Sequence, residues 1–208
     1  MTVDDIIAAR NIKEVLHFTT NRGITGMIAT GRVLSRERLP DEKHLEHVYQ
    51  CNCPDRSRDA NWHDYVNLSI TTVNRRLFGI SKGKWDSAGD GWWCIASFVP
   101  EIMTHEGVQF TTTNNMYSGV RRYTDPDGLE KLFGPQICQW ENKAVTRTPS
   151  CPPNQPTCGQ AEVLYPGELS LDYLQRLYVK TPDDAAALES ILSLYPRDIE
   201  VVEQPELF

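Results

Sequence analysis

Several things are scarce in this sequence, and each scarcity excludes something. No apolar run of about 18 or more residues, the length needed to cross a bilayer, occurs. The opening stretch MTVDDIIAARNIKEV carries acids where an export signal carries bases, so the chain is expected to be soluble and cytoplasmic, with no membrane partner. Neither GxGxxG nor GxxxxGK[ST] occurs, so a dinucleotide would not be held by a Rossmann or P-loop route. Heptads and internal repeats are missing as well. There is also no basic surplus: 21 Lys and Arg face 28 Asp and Glu, for a net charge of −7. Non-specific grip on a duplex would therefore be weak. Six cysteines (Cys51, Cys53, Cys94, Cys138, Cys151, Cys158) suit a disulfide framework only in an exported protein, and here they read as reduced thiols.

What is present points to one core. A chain of 208 residues that is 40% hydrophobic is the size of a single domain, expected to span 1–208. Its charge is unevenly spread. From Gly159 onward ten acids stand against three bases, which accounts for the whole net charge. The remainder is balanced, with bases clustered at Arg32, Arg36 and Arg38, at Arg56 and Arg58, at Arg75, Arg76, Lys82 and Lys84, and at Arg121 and Arg122. Local clusters of this kind suit a short single strand.

The hydrophobic pattern gives many short strands and few helices. Glu14 to Thr19 reads as a strand, followed by a helix capped at Asn21 that stops at Gly31. Residues 36–61 read as a long polar excursion with one helix near Asp41 to Tyr49. Tyr65 to Thr71 alternates, with Val66, Leu68 and Ile70 on one face, and Trp92 to Val99 reads as a more buried strand. Ser81 to Gly91 is the loop between them. Val108 to Thr112 is a third strand, Thr113 to Thr124 a polar loop, and Asp127 to Phe133 a short helix. The four prolines of Thr148 to Cys158 make a stiff connector. Strands follow at Gln160 to Tyr165 and Gln175 to Lys180, flanking a turn at Pro166-Gly167. Thr181 caps a helix to about Leu194, and Ile199 to Val202 is the last strand. The fold class is α+β.

A few side chains have chemical potential. Glu162 sits among Ala161, Val163 and Leu164, where a carboxylate is costly unless paired or used; pattern alone divides it evenly between a catalytic group and an outward acid on an edge strand. His17 inside an apolar strand reads first as a satisfied core histidine, and Thr19 and Asn21 as turn and cap residues. Arg56 and Arg58 read first as a solvated loop. His44, His47, Cys51 and Cys53 are all possible zinc ligands, although their spacing matches no common finger.

Four blocks stand in order along the chain: VLHFTTNRGITGMIATGRVLS, WHDYVNLSITTVNRRLF, WWCIASFVPEIMTHEGVQFTTTNN and GQAEVLYPGELSLDYLQRLYV. With them, spread from Val15 to Val179, the sequence resembles the DarT family of DNA ADP-ribosyltransferase toxins. The resemblance implies an ADP-ribosyltransferase-like split β-sheet with flanking helices, binding NAD in the cleft as ADP-ribose donor, with no metal required. It assigns His17 and Thr19 to NAD, with Gly26 and Leu34 as further contacts. Arg58, with Arg56 second, would contact NAD and assist proton removal, and Glu162 would be the catalytic glutamate. The loop from Thr113 to Tyr123 would present the acceptor, with Asn114 and Asn115 in it; from position alone, Tyr117 and Trp62 are expected to stack on the base and Arg121 and Arg122 to meet phosphates.

The implied acceptor is a nucleobase in single-stranded nucleic acid, DNA ahead of RNA, and the implied partner is a cognate antitoxin in a toxin-antitoxin or phage-defence system. Two departures leave the base open. Asp59-Ala60-Asn61-Trp62 stands where the thymine-modifying branch has a glycine-rich turn, and the 36–61 insert is long. The competing readings are transfer to RNA, to protein or to water, and a non-catalytic module stabilised by zinc at 44–53.

Overall fold

A computed structural model describes residues 1–39, 61–85, 91–193 and 195–208, with the backbone alone for Lys84 and Trp85. The expected helix at 41–49, the cluster His44, His47, Cys51 and Cys53, and both Arg56 and Arg58 lie outside the described residues.

Among these residues an eight-stranded sheet organises the chain, in the order β12-β11-β4-β1-β3-β9-β5-β6. Its members are β1 (Val15–Thr20), β3 (Tyr65–Ile70), β4 (Trp93–Phe98), β5 (Gln109–Thr111), β6 (Arg122–Tyr123), β9 (Glu162–Pro166), β11 (Leu174–Val179) and β12 (Glu200–Glu203). Two small pairs stand apart: β2 (Arg32–Leu34) with β10 (Glu168–Ser170), and β7 (Gln136–Trp140) with β8 (Lys143–Thr146). Five helices flank the strands: α1 (Val3–Arg10), α2 (Asn21–Thr30), α3 (Arg75–Trp85), α4 (Pro126–Lys131) and α5 (Pro182–Leu192).

Central β4 is buried along its whole length, which is why it reads as a continuous apolar run. Cys94, Ala96 and Phe98 face the larger core beneath α1, α2, α4 and α5, with Ile6, Ile24, Leu129 and Leu188. Trp93 and Ile95 face the other side, where Phe78 of α3 and Tyr178 join them and Phe18 packs on the edge. Tyr178 donates its hydroxyl proton to Glu14 at 2.7 Å, and burial together with that carboxylate pushes the phenol up to about 12.

The sheet forks at its middle. β1 and β3 pair only at Val15↔Ile70 and Leu16↔Ser69. Beyond Leu16, β1 stays with β4 alone, while Tyr65 to Leu68 of β3 pair with β9. The fold is thus α+β with a split sheet, as expected.

The connector is tied to the closed end of the fork. Thr71 takes φ of +62°, rare for a β-branched residue, at the centre of a tight turn closed by Thr72 N–H to the Ile70 carbonyl at 2.7 Å. Its hydroxyl donates to the Asn154 carbonyl at 2.9 Å, and Arg147 donates to the carbonyls of Gln155 and Pro152 at 2.8 and 2.7 Å. These bonds fix the proline-rich segment that delivers β9.

Some expectations need correction. Ser81–Trp85 completes α3 where a loop was expected, because Phe78 and Ser81 are buried on one helical face. The cap of α2 is Thr20, whose Oγ accepts from Gly23 N–H at 3.3 Å; Asn21 is already helical. The Pro166-Gly167 turn belongs to the link between β9 and β10, with Gly167 at φ +68°. α1 was not anticipated, having little periodicity, yet Thr2 and Asp5 form a capping box and Asn11 closes it in the left-handed region. The β7–β8 hairpin was missed because an inward glutamine, Gln139, interrupts its apolar face.

Two glycines of α2 should respond oppositely to alanine. A Cβ on Gly23 would fall 1.9 Å from the Thr19 hydroxyl oxygen, whereas one on Gly26 meets nothing within 4 Å. Gly26→Ala is expected to stabilise the fold by roughly 0.5–1 kcal/mol, and Gly23→Ala to destabilise it by about 1–3 kcal/mol. Urea unfolding measures both, and equal midpoints would refute the contrast.

Candidate functional site

Glu162 opens β9, between β3 and β5, so it is not on an edge. Directly across on β5 stands Thr111, whose hydroxyl accepts from Glu162 N–H at 3.1 Å and donates to the Thr113 carbonyl at 2.8 Å. The Glu162 side chain is buried, at 4% exposure, and is held from two elements. Its Oε2 accepts from the Asn115 backbone N–H at 2.7 Å, and its Oε1 from Asn67 Nδ2 at 3.3 Å. A carboxylate buried in this way needs such donors. The reading as an outward edge acid is therefore overturned.

Asn67 connects the two halves of the site. Just past the fork its backbone carbonyl faces β1 without a ladder partner there, and His17 Nδ1 takes that place at 3.1 Å. A carbonyl only accepts, so Nδ1 carries the proton and the neutral ring keeps Nε2 as an acceptor. Low-dielectric surroundings hold the half-buried His17 below its ordinary value, outweighing the Asn67 carbonyl, which pulls upward. His17 is thus satisfied by a backbone carbonyl, as the first reading expects, and that bond spans the fork. Two positions on, half-buried Thr19 rests its hydroxyl against Gly23, while Gly26 on α2 and Leu34 on β2 are likewise half-buried. Sequence reasoning missed Asn67, although its placement opposite the Val66, Leu68 and Ile70 face was visible.

The loop after β5 is built around the same carboxylate. Asn114 turns the chain, its side chain accepting from Met116 N–H at 3.0 Å and its carbonyl from Tyr117 N–H at 3.0 Å. Asn115, which is buried, is gripped twice by Arg122: Nε donates to Oδ1 at 2.6 Å and Nη2 to the carbonyl at 2.8 Å. The same guanidinium lies over the Trp62 ring, 4.7 Å from its centroid. Arg122 thus braces the loop that holds Glu162. Arg121 is exposed, with its backbone paired to Thr112. Tyr117 donates its hydroxyl proton to Gln160 at 2.8 Å and packs on Trp140.

The four described cysteines are unpaired, with Cys94 and Cys158 buried and the Cys94 thiol pushed upward by burial. Among the described residues no group of three or more His, Cys, Asp or Glu could hold a metal, and no helix is long and apolar enough to cross a membrane. The arrangement offers a buried carboxylate held at both oxygens, an imidazole acceptor on the other side of the fork and a braced aromatic loop. That combination suits a reaction in which positive charge develops on a small ligand.

Comparison with known proteins gives one family: the profile described as DarT, ssDNA thymidine ADP-ribosyltransferase, matches residues 16–208. No curated protein sequence matches. Among solved structures, Thermus sp. 2.9 DarT in complex with NAD+ is similar at a TM-score of 0.63 and 14% identity, covering 94% of this chain and 97% of that one. The same protein in complex with ADP-ribosylated ssDNA gives 0.63 and 14%, covering 95% and 97%. Thermosipho africanus DarTG in complex with ADP-ribose gives 0.56 and 17%; 94% of this chain is covered, but only 51% of that longer chain.

Two measurements probe this geometry. Arg122→Lys cannot reproduce the two-pronged grip on Asn115, so hydrogen exchange at the Asn115 amide should accelerate about tenfold or more; unchanged protection would mean that the brace is idle. A histidine depressed in the folded state contributes stability that is complete above the ordinary value of 6.5 and is lost as pH falls through the folded value. Unfolding free energy should accordingly fall below pH 6.5 more steeply in the wild type than in His17→Gln, which keeps a donor but does not titrate.

Proposed function

The chain belongs to the DarT family of single-stranded-DNA thymidine ADP-ribosyltransferases, and from that premise we propose that its NAD cleavage turns on Glu162. It is an NAD-dependent ADP-ribosyltransferase, with NAD as the donor substrate. The observation that carries the assignment is a buried carboxylate fixed by Asn115 N–H and Asn67 Nδ2, with Asn67 in turn joined to His17 across the fork.

As the ribose C1′–nicotinamide bond breaks, its electron pair leaves with nicotinamide and positive charge grows on C1′. Glu162 supplies the opposing charge from an orientation already set, so little reorganisation is needed. His17 Nε2 and the Thr19 hydroxyl would hold the donor, with Gly26 and Leu34 beside it, so that C1′ faces the acceptor loop. A ring nitrogen of the thymine kind attacks C1′ and gives up its proton, a step we assign to Glu162 together with Arg58, with Arg56 as the alternative. Stacking and pairing hide such a nitrogen in a duplex, which favours single-stranded DNA over paired strands.

We further place the reaction in the cytoplasm, under the control of a neutralising protein partner. The solved DarTG, whose chain is nearly twice the length this one covers, supports the idea of a joined or neighbouring antitoxin. RNA as acceptor is the second reading, favoured only by the shared chemistry of its bases.

The test uses Glu162→Gln, which preserves shape while removing charge. With labelled NAD and separate pools of single-stranded DNA, duplex DNA, RNA and protein, the wild type should label single-stranded DNA, and the variant should lose at least about 100-fold in rate. Circular dichroism should show both folded. Labelling by the variant at the wild-type rate would overturn the role of Glu162, and label found only on RNA or protein would overturn the acceptor.

A further inference from the structure

The β7–β8 hairpin belongs to neither the large sheet nor the β2–β10 pair, yet it is locked to the loop that holds Glu162. Gly119 N–H donates to the Gln139 carbonyl at 3.0 Å. The approach is so close that a Cβ on Gly119 would fall 2.8 Å from that carbonyl and 2.9 Å from Cys138 Sγ. Gln139 Nε2 reaches Cys158 Sγ at 3.3 Å, and that thiol donates to the Thr113 hydroxyl at 3.3 Å.

The register of the hairpin shifts between Cys138 and Trp140, so Gln139 is the extra residue of a bulge. Gln139 is buried on the same face as Ile137, and Trp140, on the other face, packs on Tyr117. Their ring centroids lie 4.1 Å apart at an interplanar angle of 31°. Trp140 is nevertheless 36% exposed. Its register partner is the exposed Lys143; the turn residues Glu141 and Asn142 and the next pair, Cys138 and Ala144, are exposed as well, so the apolar surface around the ring is small. A single backed ring beside a cation offers too little apolar area to dock a protein, but it matches the face of one base and its phosphate. From Trp140 the path to the carboxylate is short: one ring stack to Tyr117, one hydrogen bond to Gln160, and two residues to Glu162.

We infer that the outer face of Trp140 is a stacking platform for a base neighbouring the one modified, with Lys143 on the adjoining phosphate, so that the hairpin sets the register of the strand. This rests on the single-stranded DNA reading above.

The experiment measures KM and kcat for transfer to oligonucleotides carrying one abasic sugar at each position flanking the acceptor, with wild type, Trp140→Ala and Trp140→Phe; NAD affinity is measured in parallel. Trp140→Ala should raise KM for intact DNA roughly 5- to 150-fold, the span of one base–aromatic stack, and Trp140→Phe should recover most of it. At one flanking position the abasic sugar should weaken the wild type by a similar factor and Trp140→Ala no further. The platform is overturned if KM does not change, if every abasic penalty survives in Trp140→Ala, or if NAD affinity falls in step with DNA, as a collapsed hairpin would cause. A wild type that labels no oligonucleotide at all would instead defeat the single-stranded DNA reading on which the platform rests.

Discussion

The hydrogen bond from His17 Nδ1 to the Asn67 carbonyl is the constraint on which the site depends. A sheet that splits must leave main-chain groups facing a gap, where water or a side chain has to pair them; Asn67 is exposed at that point. Here a side chain from one half satisfies a carbonyl of the other, so the cleft opens at a fixed residue. The same bond dictates the tautomer of His17 and so leaves Nε2 as an acceptor. The Asn67 side chain then continues the connection to Glu162. A single strand residue therefore links the group assigned to the donor with the group assigned to its cleavage.

The other side of Glu162 is held by backbone, which makes the loop after β5 part of the geometry around the carboxylate. Asn115 gives its N–H to the carboxylate while Arg122 holds Asn115 at two atoms and rests on Trp62. A guanidinium used in this way contributes planarity and paired donors, which an ammonium cannot supply. It also explains how a chain of net charge −7 can carry arginines near its site without a strongly basic surface. Part of that charge is structural, as in the Arg38–Asp64 pair beside Gly167 and the Arg10–Glu130 pair between α1 and α4.

Delivery of Glu162 depends on the connector before it. Proline removes freedom from Thr148 to Cys158, and Thr71 and Arg147 hold its path, one of them at the cost of a strained turn. Strain at Thr71 sits beside the last shared pair of β1 and β3, where the sheet is still whole.

The sequence by itself determined the strands and their burial, because periodicity and β-branched runs report local structure: β1, β3, β4 and β11 appear within a residue or two of expectation. It also determined the stiff connector, the cap at Thr181 and, through four ordered blocks, the family. It left α1 and the β7–β8 hairpin unread, since a weakly amphipathic helix and a strand with an inward glutamine lack a periodic signal. Glu162 was ambiguous in the sequence because an alternating pattern cannot say whether a strand lies at an edge. Only the tertiary structure placed β9 between β3 and β5, and only it brought Asn67, Asn115 and His17 together from three separate segments. Contacts of that kind depend on strand order and on the point where the sheet divides, and neither is written in any local stretch of residues.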